Sequence, residues 1–424
     1  MHNLLYAQGG GMTAVINASA AGVIEAATAS GRFDAVLAAR RGIVGLLAES
    51  LVDCAGIDLT RLAATPGGVF GSCRFSLPPE AAQPALYDRL FDVLAAHQIG
   101  AFLYNGGNGS LEVTAQLSQA ARRRGYPLVC VGVPKTIDND IEGSDCCPGY
   151  GSAAKYLATS MMESGCDLAA MASHTTGRVF VMEVMGRNVG WLAAATALAA
   201  READDVPHIV LVPEAPVDEG TLLARADAVI SRLGYCAITV AEGIRHVDGS
   251  LVRASTKDPM GHIRLGGAGQ VVAEWVGESL GCHHHYASPD YLQRAAHHWV
   301  SATDHAQALA VGRAAVAFAL NGQDGVVAAI RRLRNDPYTW DIVAVDAAAV
   351  ANLERRLPHE FLAADGLGIS TAGRDYIAPL IVGELPIMTA GGLPVHYRLD
   401  RATLPRRLPL YRGWAEERIN ARGD

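Results

Sequence analysis

Short apolar segments alternate with helical patterns from the start of the chain. Leu4–Ala7 is typical of a buried strand, and the turn Gly9-Gly10-Gly11 and a helical pattern over about 13–28 follow it. Further strands are predicted at 36–39, 102–104, 128–131, 179–182, 209–212 and 237–240, and helices near 111–124, 151–166, 188–201, 219–233 and 268–280. This alternation predicts an α/β fold in which helices cover both faces of parallel sheets.

Length and charge restrict the class of protein further. At 424 residues the chain is expected to form two or three domains. A net charge of −8 argues against a general nucleic-acid binder. No apolar stretch reaches the roughly 18 residues of a spanning helix, and the first residues do not resemble a signal peptide, so we expect a cytoplasmic protein with no membrane partner. The eight scattered cysteines lack zinc-site spacing and are typical of reduced thiols.

Two carboxylates and a lysine follow the predicted strand at 128–131, in the segment Lys135-Thr136-Ile137-Asp138-Asn139-Asp140. Open α/β sheets place their chemistry at the carboxyl ends of strands. One carboxylate there can take a proton from a hydroxyl group, the other can reach a metal ion, and the lysine can neutralise a phosphate. The alternative interpretation is a solvated turn.

Glycine-rich turns follow two other predicted strands. Gly9-Gly10-Gly11 and Gly106-Gly107-Asn108-Gly109-Ser110 each precede a predicted helix. Backbone amides at such a turn can approach a phosphate, and the helix N-terminus favours an anion. Tight-turn packing is the alternative, and neither turn has the Walker or the Rossmann spacing.

Four further segments carry candidate binding residues. Arg74 follows a glycine turn and could stabilise a transferring phosphoryl group, or it could be an ordinary surface arginine. Met185-Gly186-Arg187 offers close backbone approach and an anion-binding guanidinium. Glu242 could accept hydrogen bonds from sugar hydroxyls or simply begin a helix, and His262 in the segment 261–267 is a candidate that could equally be structural.

In this order, these segments resemble the phosphofructokinase family. The matching motifs span about residues 4–294 and read Gly-Gly, Gly-Ser-Cys-Arg, Gly-Gly-Asn-Gly-Ser, Pro-Lys-Thr-Ile-Asp-Asn-Asp, Glu-Val-Met-Gly-Arg, Ala-Glu-Gly and Gly-His-Ile-Arg-Leu-Gly-Gly. The resemblance implies two doubly wound Rossmann-like domains with parallel sheets and a C-terminal extension. It places a phosphoryl-donor domain at 1–150 and 266–320, a sugar-phosphate domain at 151–265 and the extension at 321–424. The implied reaction is Mg²⁺-dependent phosphoryl transfer to the 1-hydroxyl of fructose 6-phosphate.

The resemblance also implies a role for each motif residue. Asp138 would be the base, with Asp140 as its partner, Thr136 would contact the transferring phosphoryl group, and Arg74 and Lys135 would stabilise its charge. Donor contacts are implied for Gly10, Gly11, Gly107, Asn108, Gly109, Ser110 and Lys135, metal contacts for Asn108, Asp138 and Asp140, and sugar-phosphate contacts for Thr136, Arg178, Met185, Gly186, Arg187, Glu242, His262, Tyr291 and Arg294. The common bacterial form has an arginine where this chain has Leu265, and the Tyr291–Arg294 element would supply the missing arginine. Arg178, and with it Lys257, would reach into a neighbouring subunit's site.

The phosphoryl donor is open between pyrophosphate and ATP. Lys135 and the chain length favour pyrophosphate, as does Val113, whose branched side chain would fill the space that a glycine leaves for adenine in ATP-using members. Gly109 favours ATP, because the pyrophosphate type usually has an aspartate there. Asn108 replaces the usual metal-binding aspartate, and an amide is a poorer ligand for Mg²⁺.

We therefore expect a pyrophosphate-dependent, non-allosteric enzyme that forms a homodimer or homotetramer with active sites shared between subunits. An ATP-dependent enzyme and a catalytically silent sugar-phosphate-binding subunit are the alternatives, and sedoheptulose 7-phosphate is a further possible acceptor.

Overall fold

The computed structural model describes residues 2–253 and 265–411. His262 and Lys257, both predicted to contact the sugar phosphate, lie outside these residues. The strands are β1 (Asn3–Gln8), β2 (Val36–Ala39), β3 (Leu51–Asp53), β4 (Ile99–Gly106), β5 (Val129–Pro134), β6 (Arg178–Val184), β7 (Ile209–Leu211), β8 (Cys236–Ala241), β9 (His283–Ala287), β10 (Val326–Arg334), β11 (Thr339–Asp346), β12 (Thr389–Ala390) and β13 (Leu393–Pro394).

Helices connect most of these strands. They are α1 (Ile16–Ser30), α2 (Gly42–Leu47), α3 (Leu59–Ala63), α4 (Pro84–Ala96), α5 (Asn108–Arg124), α6 (Tyr150–Ala170), α7 (Trp191–Thr196), α8 (Glu219–Leu233), α9 (Ala268–Leu280), α10 (Tyr291–Ala295), α11 (Ala302–Leu320), α12 (Ala347–Val350) and α13 (Thr371–Ile377). None of the helices in the described part of the chain is both long and apolar enough to span a membrane.

Local sequence explains several helix boundaries. Asp218 caps the start of α8 by accepting a hydrogen bond from the amide of Thr221 at 2.8 Å, and Gly234 ends that helix in the left-handed conformation. Helix α5 likewise ends at a left-handed glycine, Gly125, with arginines 122–124 in its last turn, where the helix dipole favours positive charge.

Two sheets organise the fold. The larger sheet has the strand order β11-β10-β5-β4-β1-β2-β3, and the smaller has the order β7-β8-β6-β9. The smaller sheet is parallel throughout, whereas β3 and β11 run antiparallel to their neighbours at the two edges of the larger sheet. The predicted α/β class with parallel sheets is therefore confirmed.

The predicted domain division stays a prediction, but the strand order differs from it at two places. Strand β9 falls in the segment 266–320 that the sequence assigns to the donor domain, yet it pairs with β6 of the smaller sheet. Strand β10 falls in the predicted extension, yet it pairs with β5 of the larger sheet at Val326 and Val327. Both differences arise because a strand joins whichever sheet edge can satisfy its backbone hydrogen bonds, and sequence distance does not determine this.

The core beneath the larger sheet depends on close helix packing. A side chain on Gly22 of α1 would overlap the carbonyl of Leu309 in α11, and one on Gly312 of α11 would overlap the carbonyl of Ser19 in α1. Reciprocal glycines therefore let the two helices touch through their backbones. This contact brings α11 against α1, the helix that follows the first glycine turn.

Candidate active site

The predicted site residues gather where β1, β4, β5, β6 and β8 end. The glycine turn at 9–11 follows β1, the second turn follows β4, and the loop from Lys135 follows β5. From the smaller sheet, Met185 follows β6 and Glu242 follows β8. The carboxyl ends of both sheets thus contribute to one cleft, as expected for doubly wound folds.

Hydrogen bonds to the chain segment 72–74 hold the first glycine turn in place. The amide of Gly10 donates to the carbonyl of Cys73 at 3.0 Å, and the hydroxyl of Ser72 donates to the carbonyl of Gly10 at 2.7 Å. These bonds place Arg74 next to the turn. Ser72 lies inside a motif that the sequence identified, but its role in fixing the turn was not predicted.

The second turn opens the N-terminus of α5 towards the cleft. Gly107 caps the helix and Asn108 is its first residue. A Cβ atom placed on Gly109 would meet nothing within 4 Å, so the space beyond this residue is free. Ser110, whose role as a donor contact stays a prediction, is buried, and its hydroxyl fills the space that Gly9 and Gly106 leave and bonds to Tyr104.

The loop after β5 presents its two carboxylates through local hydrogen bonds. The amide of Lys135 donates to the carbonyl of Gly106 at 3.1 Å, and the amide of Asp138 donates to the hydroxyl of Thr136 at 3.0 Å. Asn139 adopts a left-handed conformation (φ 57°), which asparagine tolerates, and its side-chain oxygen accepts from the amide of Cys147 at 2.9 Å. The loop is therefore fixed on both sides of Asp138.

Charge and burial oppose each other at this loop. Burial lowers the pKa of Lys135 to about 8, although the charges of Asp138 and Asp140 act to raise it. Burial raises the pKa of both Asp138 and Asp140, and the charge of Glu242 raises that of Asp138 further. A lysine that is 3% exposed and two carboxylates of raised basicity therefore share one enclosed space.

Asn108 and Asp140 together offer oxygen ligands. The amide nitrogen of Asn108 donates to a carboxylate oxygen of Asp140 at 3.0 Å, while its oxygen Oδ1 is buried and has no hydrogen-bond partner among residues 2–253 and 265–411. A buried carbonyl oxygen without a partner beside carboxylates suits a hard cation that also binds phosphate oxygens. Within residues 2–253 and 265–411, no three His, Cys, Asp or Glu side chains form a metal cluster, so the candidate metal site rests on two carboxylates and this amide.

The sugar side is built from the loops after β6 and β8. Gly186 has a φ of 148°, and a Cβ there would lie 2.7 Å from the carbonyl of Val189, so the tight loop requires glycine. The amide of Glu242 donates to the carbonyl of Val184 at 2.9 Å, which ties the two loops together. Burial raises the pKa of Glu242, whereas the charge of Arg187 lowers it, so these two predicted sugar contacts are neighbours.

Helix α10 brings Arg294 across to the donor side. Gln293 is buried and accepts a hydrogen bond from the amide of Met185 at 3.2 Å, which fixes α10 to the loop after β6. The guanidinium of Arg294 stacks on the ring of Tyr291 at 4.1 Å. A Cβ on Gly11 would lie 2.9 Å from its Nη1 atom, so Arg294 covers the first glycine turn. The sequence predicted an arginine for the sugar phosphate here but not its contact with this turn.

Two predicted residues lie away from the cleft of their own chain. Arg178 begins β6, whereas the cleft lies at the other end of that strand, about 20 Å away at 3.3 Å per residue. Val113 is 1% exposed and belongs to the hydrophobic cluster of Tyr104 and Leu117, so its side chain packs into the core rather than lining an open adenine space. This packing is compatible with the expectation that the Val113 side chain fills the space that a glycine would leave for adenine, and that expectation stays a prediction.

Comparison with known proteins agrees with this geometry. A family model described as Phosphofructokinase matches residues 3–319. The chain is 48% identical to the pyrophosphate–fructose 6-phosphate 1-phosphotransferase of Xanthomonas campestris, over 97% of this chain and 99% of that protein. It is 47% identical to the protein of the same name from Methylococcus capsulatus, over 96% and 98% of the two chains. The crystal structure of a pyrophosphate-dependent phosphofructokinase from Marinobacter aquaeolei superimposes with a TM-score of 0.88 at 42% identity, covering 97% of this chain and 99% of that one.

Proposed function

Because the chain belongs to the phosphofructokinase family, we propose that it transfers a phosphoryl group from pyrophosphate to the 1-hydroxyl of fructose 6-phosphate. The product is fructose 1,6-bisphosphate. The reaction is close to reversible, since the bond broken in pyrophosphate and the ester formed differ less in free energy than ATP and the ester do.

One observation carries the proposal within the molecule: Lys135 lies between the first glycine turn and the carboxylate pair. A Cβ on Gly10 would be 3.4 Å from the ammonium nitrogen of Lys135, and the charges of Asp138 and Asp140 both act on the pKa of that group. A cation enclosed by phosphate-binding amides and a general base is what phosphoryl transfer needs, because catalysis consists mainly of positioning and charge neutralisation.

Asp138 acts as the base towards the sugar hydroxyl. Burial raises the pKa of Asp138, which makes it a better proton acceptor than an exposed aspartate, while the charge of Lys135 acts to lower that pKa. Glu242, from the opposite wall, orients the sugar so that its 1-hydroxyl faces Asp138. Lys135 and Arg74 then stabilise the negative charge on the phosphoryl group as it moves between the two substrates.

Magnesium fits the oxygen atoms at the carboxylate pair. Asp138, Asp140 and Oδ1 of Asn108 would hold it together with the donor's own oxygens, because Mg²⁺ in such enzymes usually takes one or two carboxylates plus substrate phosphates. When bound, the ion neutralises charge on the phosphates. The hydrogen bond from Asn108 keeps Asp140 oriented within this set.

The donor is tested most directly by measuring turnover of fructose 6-phosphate with pyrophosphate and with ATP side by side, in the presence of Mg²⁺. We expect pyrophosphate to support the faster reaction. Turnover with ATP alone would contradict the donor assignment but keep the acceptor, and no turnover with either donor would indicate a silent sugar-phosphate-binding protein.

We also propose a homo-oligomer in which subunits share active sites. Arg178 faces away from its own cleft, and β9 is an edge strand whose five residues are all exposed, including Tyr286 at 49%. An edge strand presents unpaired backbone groups with which another chain can pair. Mixing Asp138→Asn subunits with Arg178→Ala subunits should restore part of the activity that each variant lacks, because some sites then contain both intact residues. Independent loss in each variant without restoration would contradict shared sites.

A further inference from the structure

A short extended segment of the C-terminal part, which we call the strap (residues 354–357), lies between two loops. These are the catalytic loop (residues 135–141, after β5) and the sugar loop (residues 185–190, after β6). No motif in the sequence indicated a function for it. Helix α12 ends at Val350, and Asn352 turns the chain with a left-handed φ of 66°. The strap then runs past both loops before the chain continues to the short helical turn at 359–361.

One edge of the strap pairs with the catalytic loop. Glu354 forms an antiparallel bridge with Ile141, and the amide of Arg355 donates to the carbonyl of Asp140 at 2.9 Å. The strap therefore binds the backbone of Asp140 directly. The charge of Glu354 is also close enough to act on that residue, since it raises the pKa of Asp140.

Further contacts of the strap go to the sugar loop and to Trp191 at the start of α7. The carboxylate of Glu354 accepts from the side-chain amide of Asn188 at 2.7 Å, and Asn188 directly follows the predicted sugar contact Arg187. The carbonyl of Arg355 accepts from the indole of Trp191 at 3.0 Å, and the guanidinium of Arg355 stacks over that indole at 4.2 Å.

Glu214 also connects the sugar loop to the strap. One oxygen of its carboxylate accepts from the amide of Gly190, at the end of the sugar loop, at 3.0 Å and from the amide of Leu357, at the end of the strap, at 2.9 Å. The sugar loop is therefore joined to both ends of the strap, because Asn188 binds Glu354 and Gly190 is connected to Leu357 through Glu214.

We propose that the strap sets the distance between the catalytic loop and the sugar loop, with Glu354 as a positioning residue that acts through Asn188 and Asp140. The inference rests on the proposed function, because the distance matters for transfer only if the sugar binds at Arg187 and reacts at Asp138. Phosphoryl transfer depends steeply on the alignment of the two substrates, so a loosened strap should impair the reaction without removing any catalytic group.

The test compares two substitutions at one position. Glu354→Gln keeps an oxygen that can accept from Asn188, whereas Glu354→Ala removes it. We expect kcat/KM for fructose 6-phosphate to fall about five- to tenfold in Glu354→Ala, as for the loss of one exposed hydrogen bond of ordinary strength, and to stay within about twofold of the wild type in Glu354→Gln. The KM for pyrophosphate should not change in either variant. Glu360→Ala is the matched control, since Glu360 is an exposed glutamate of the same part of the chain.

Two further measurements separate positioning from charge and from the proposed function itself. Asn188→Ala should reduce kcat/KM as much as Glu354→Ala, and the double variant should be no worse than either single one, because both remove the same bond. Backbone hydrogen exchange across residues 136–141 should speed up in Glu354→Ala, whatever the substrates are. Three results would each overturn the proposal: an equal loss of kcat/KM in Glu354→Gln and Glu354→Ala, additive losses of kcat/KM in the double variant, or unchanged hydrogen exchange in Glu354→Ala. An inactive wild type together with faster exchange in Glu354→Ala would contradict only the proposed function.

Discussion

The two walls of the cleft are built in different ways. The donor wall consists mainly of backbone: two glycine turns and the start of α5, each directly following a central strand of the larger sheet. The sugar wall consists mainly of side chains, which come from the loops after β6 and β8, from α10 and from the strap. Backbone recognition suits a compact polyanion that every amide can approach, whereas a sugar phosphate needs separate groups for its hydroxyls and its phosphate.

The comparison predicts that substitutions should affect the substrates unequally, depending on the wall. Asp138 stands where the walls meet and should affect chemistry rather than either binding step. Asp138→Asn should lower kcat by about 10²–10⁴ while sugar-phosphate binding, measured by calorimetry, stays nearly unchanged. Glu142→Gln is the control, because Glu142 is an exposed carboxylate of the same loop. A variant with more than a tenth of the wild-type kcat would contradict the role of Asp138 as base.

Arg294 decides whether the two walls are truly separate, since it belongs to the sugar wall by sequence but covers the donor turn at Gly11. We expect Arg294→Ala to raise the KM for fructose 6-phosphate roughly 10- to 100-fold with a smaller change in kcat, because a contact to a non-reacting phosphate is equal in ground and transition states. Arg334→Ala is the control, since Arg334 is an exposed arginine at the end of β10 that is not a predicted site residue. A rise in the KM for pyrophosphate instead would assign Arg294 to the donor wall.

Substitution of Gly109 tests how the donor wall distinguishes ATP from pyrophosphate. Gly109→Asp should lower ATP-supported turnover about fivefold, since a carboxylate near the α-phosphate costs roughly 1 kcal/mol even in water. Pyrophosphate turnover should stay constant, because that donor has no group beyond its second phosphorus. The fold should tolerate the change, as nothing lies within 4 Å of the added Cβ atom and an acidic residue suits the first turn of a helix. Gly109→Asn separates charge from size, and an equal loss with Asn would exclude the electrostatic explanation.

Val113 should have the smallest effect on donor choice. Because its side chain is packed in the core, Val113→Ala should destabilise the protein by about 2 kcal/mol and lower its thermal midpoint without improving the use of ATP. A marked gain in ATP turnover would show that the Val113 side chain occupies the space that adenine needs, as the sequence alone suggested. Thermal unfolding and paired assays with both donors measure the two effects separately.

The sequence alone located the two glycine turns and the loop 135–140 at the ends of strands. Glycine turns at strand ends, the lysine and the paired carboxylates are local patterns, and each needs only a strand before it and a helix or turn after it to take its conformation. The strand–helix alternation was equally local, and the α/β class with parallel sheets followed from it. Even the left-handed Asn139 belongs to a six-residue motif that the sequence identified as a unit.

Only the tertiary structure decided how the walls meet. Gln293 anchors α10 to Met185 from more than a hundred residues away, β9 and β10 join sheets that their sequence position did not indicate, and the strap contacts loops that precede it by over 150 residues. Such contacts depend on which surfaces the packed helices leave free, as at Gly22 and Gly312, and a short motif carries no information about them. The candidate catalytic groups of this protein are therefore neighbours in sequence, whereas the separation of the two sides of the cleft is determined by neighbours in space.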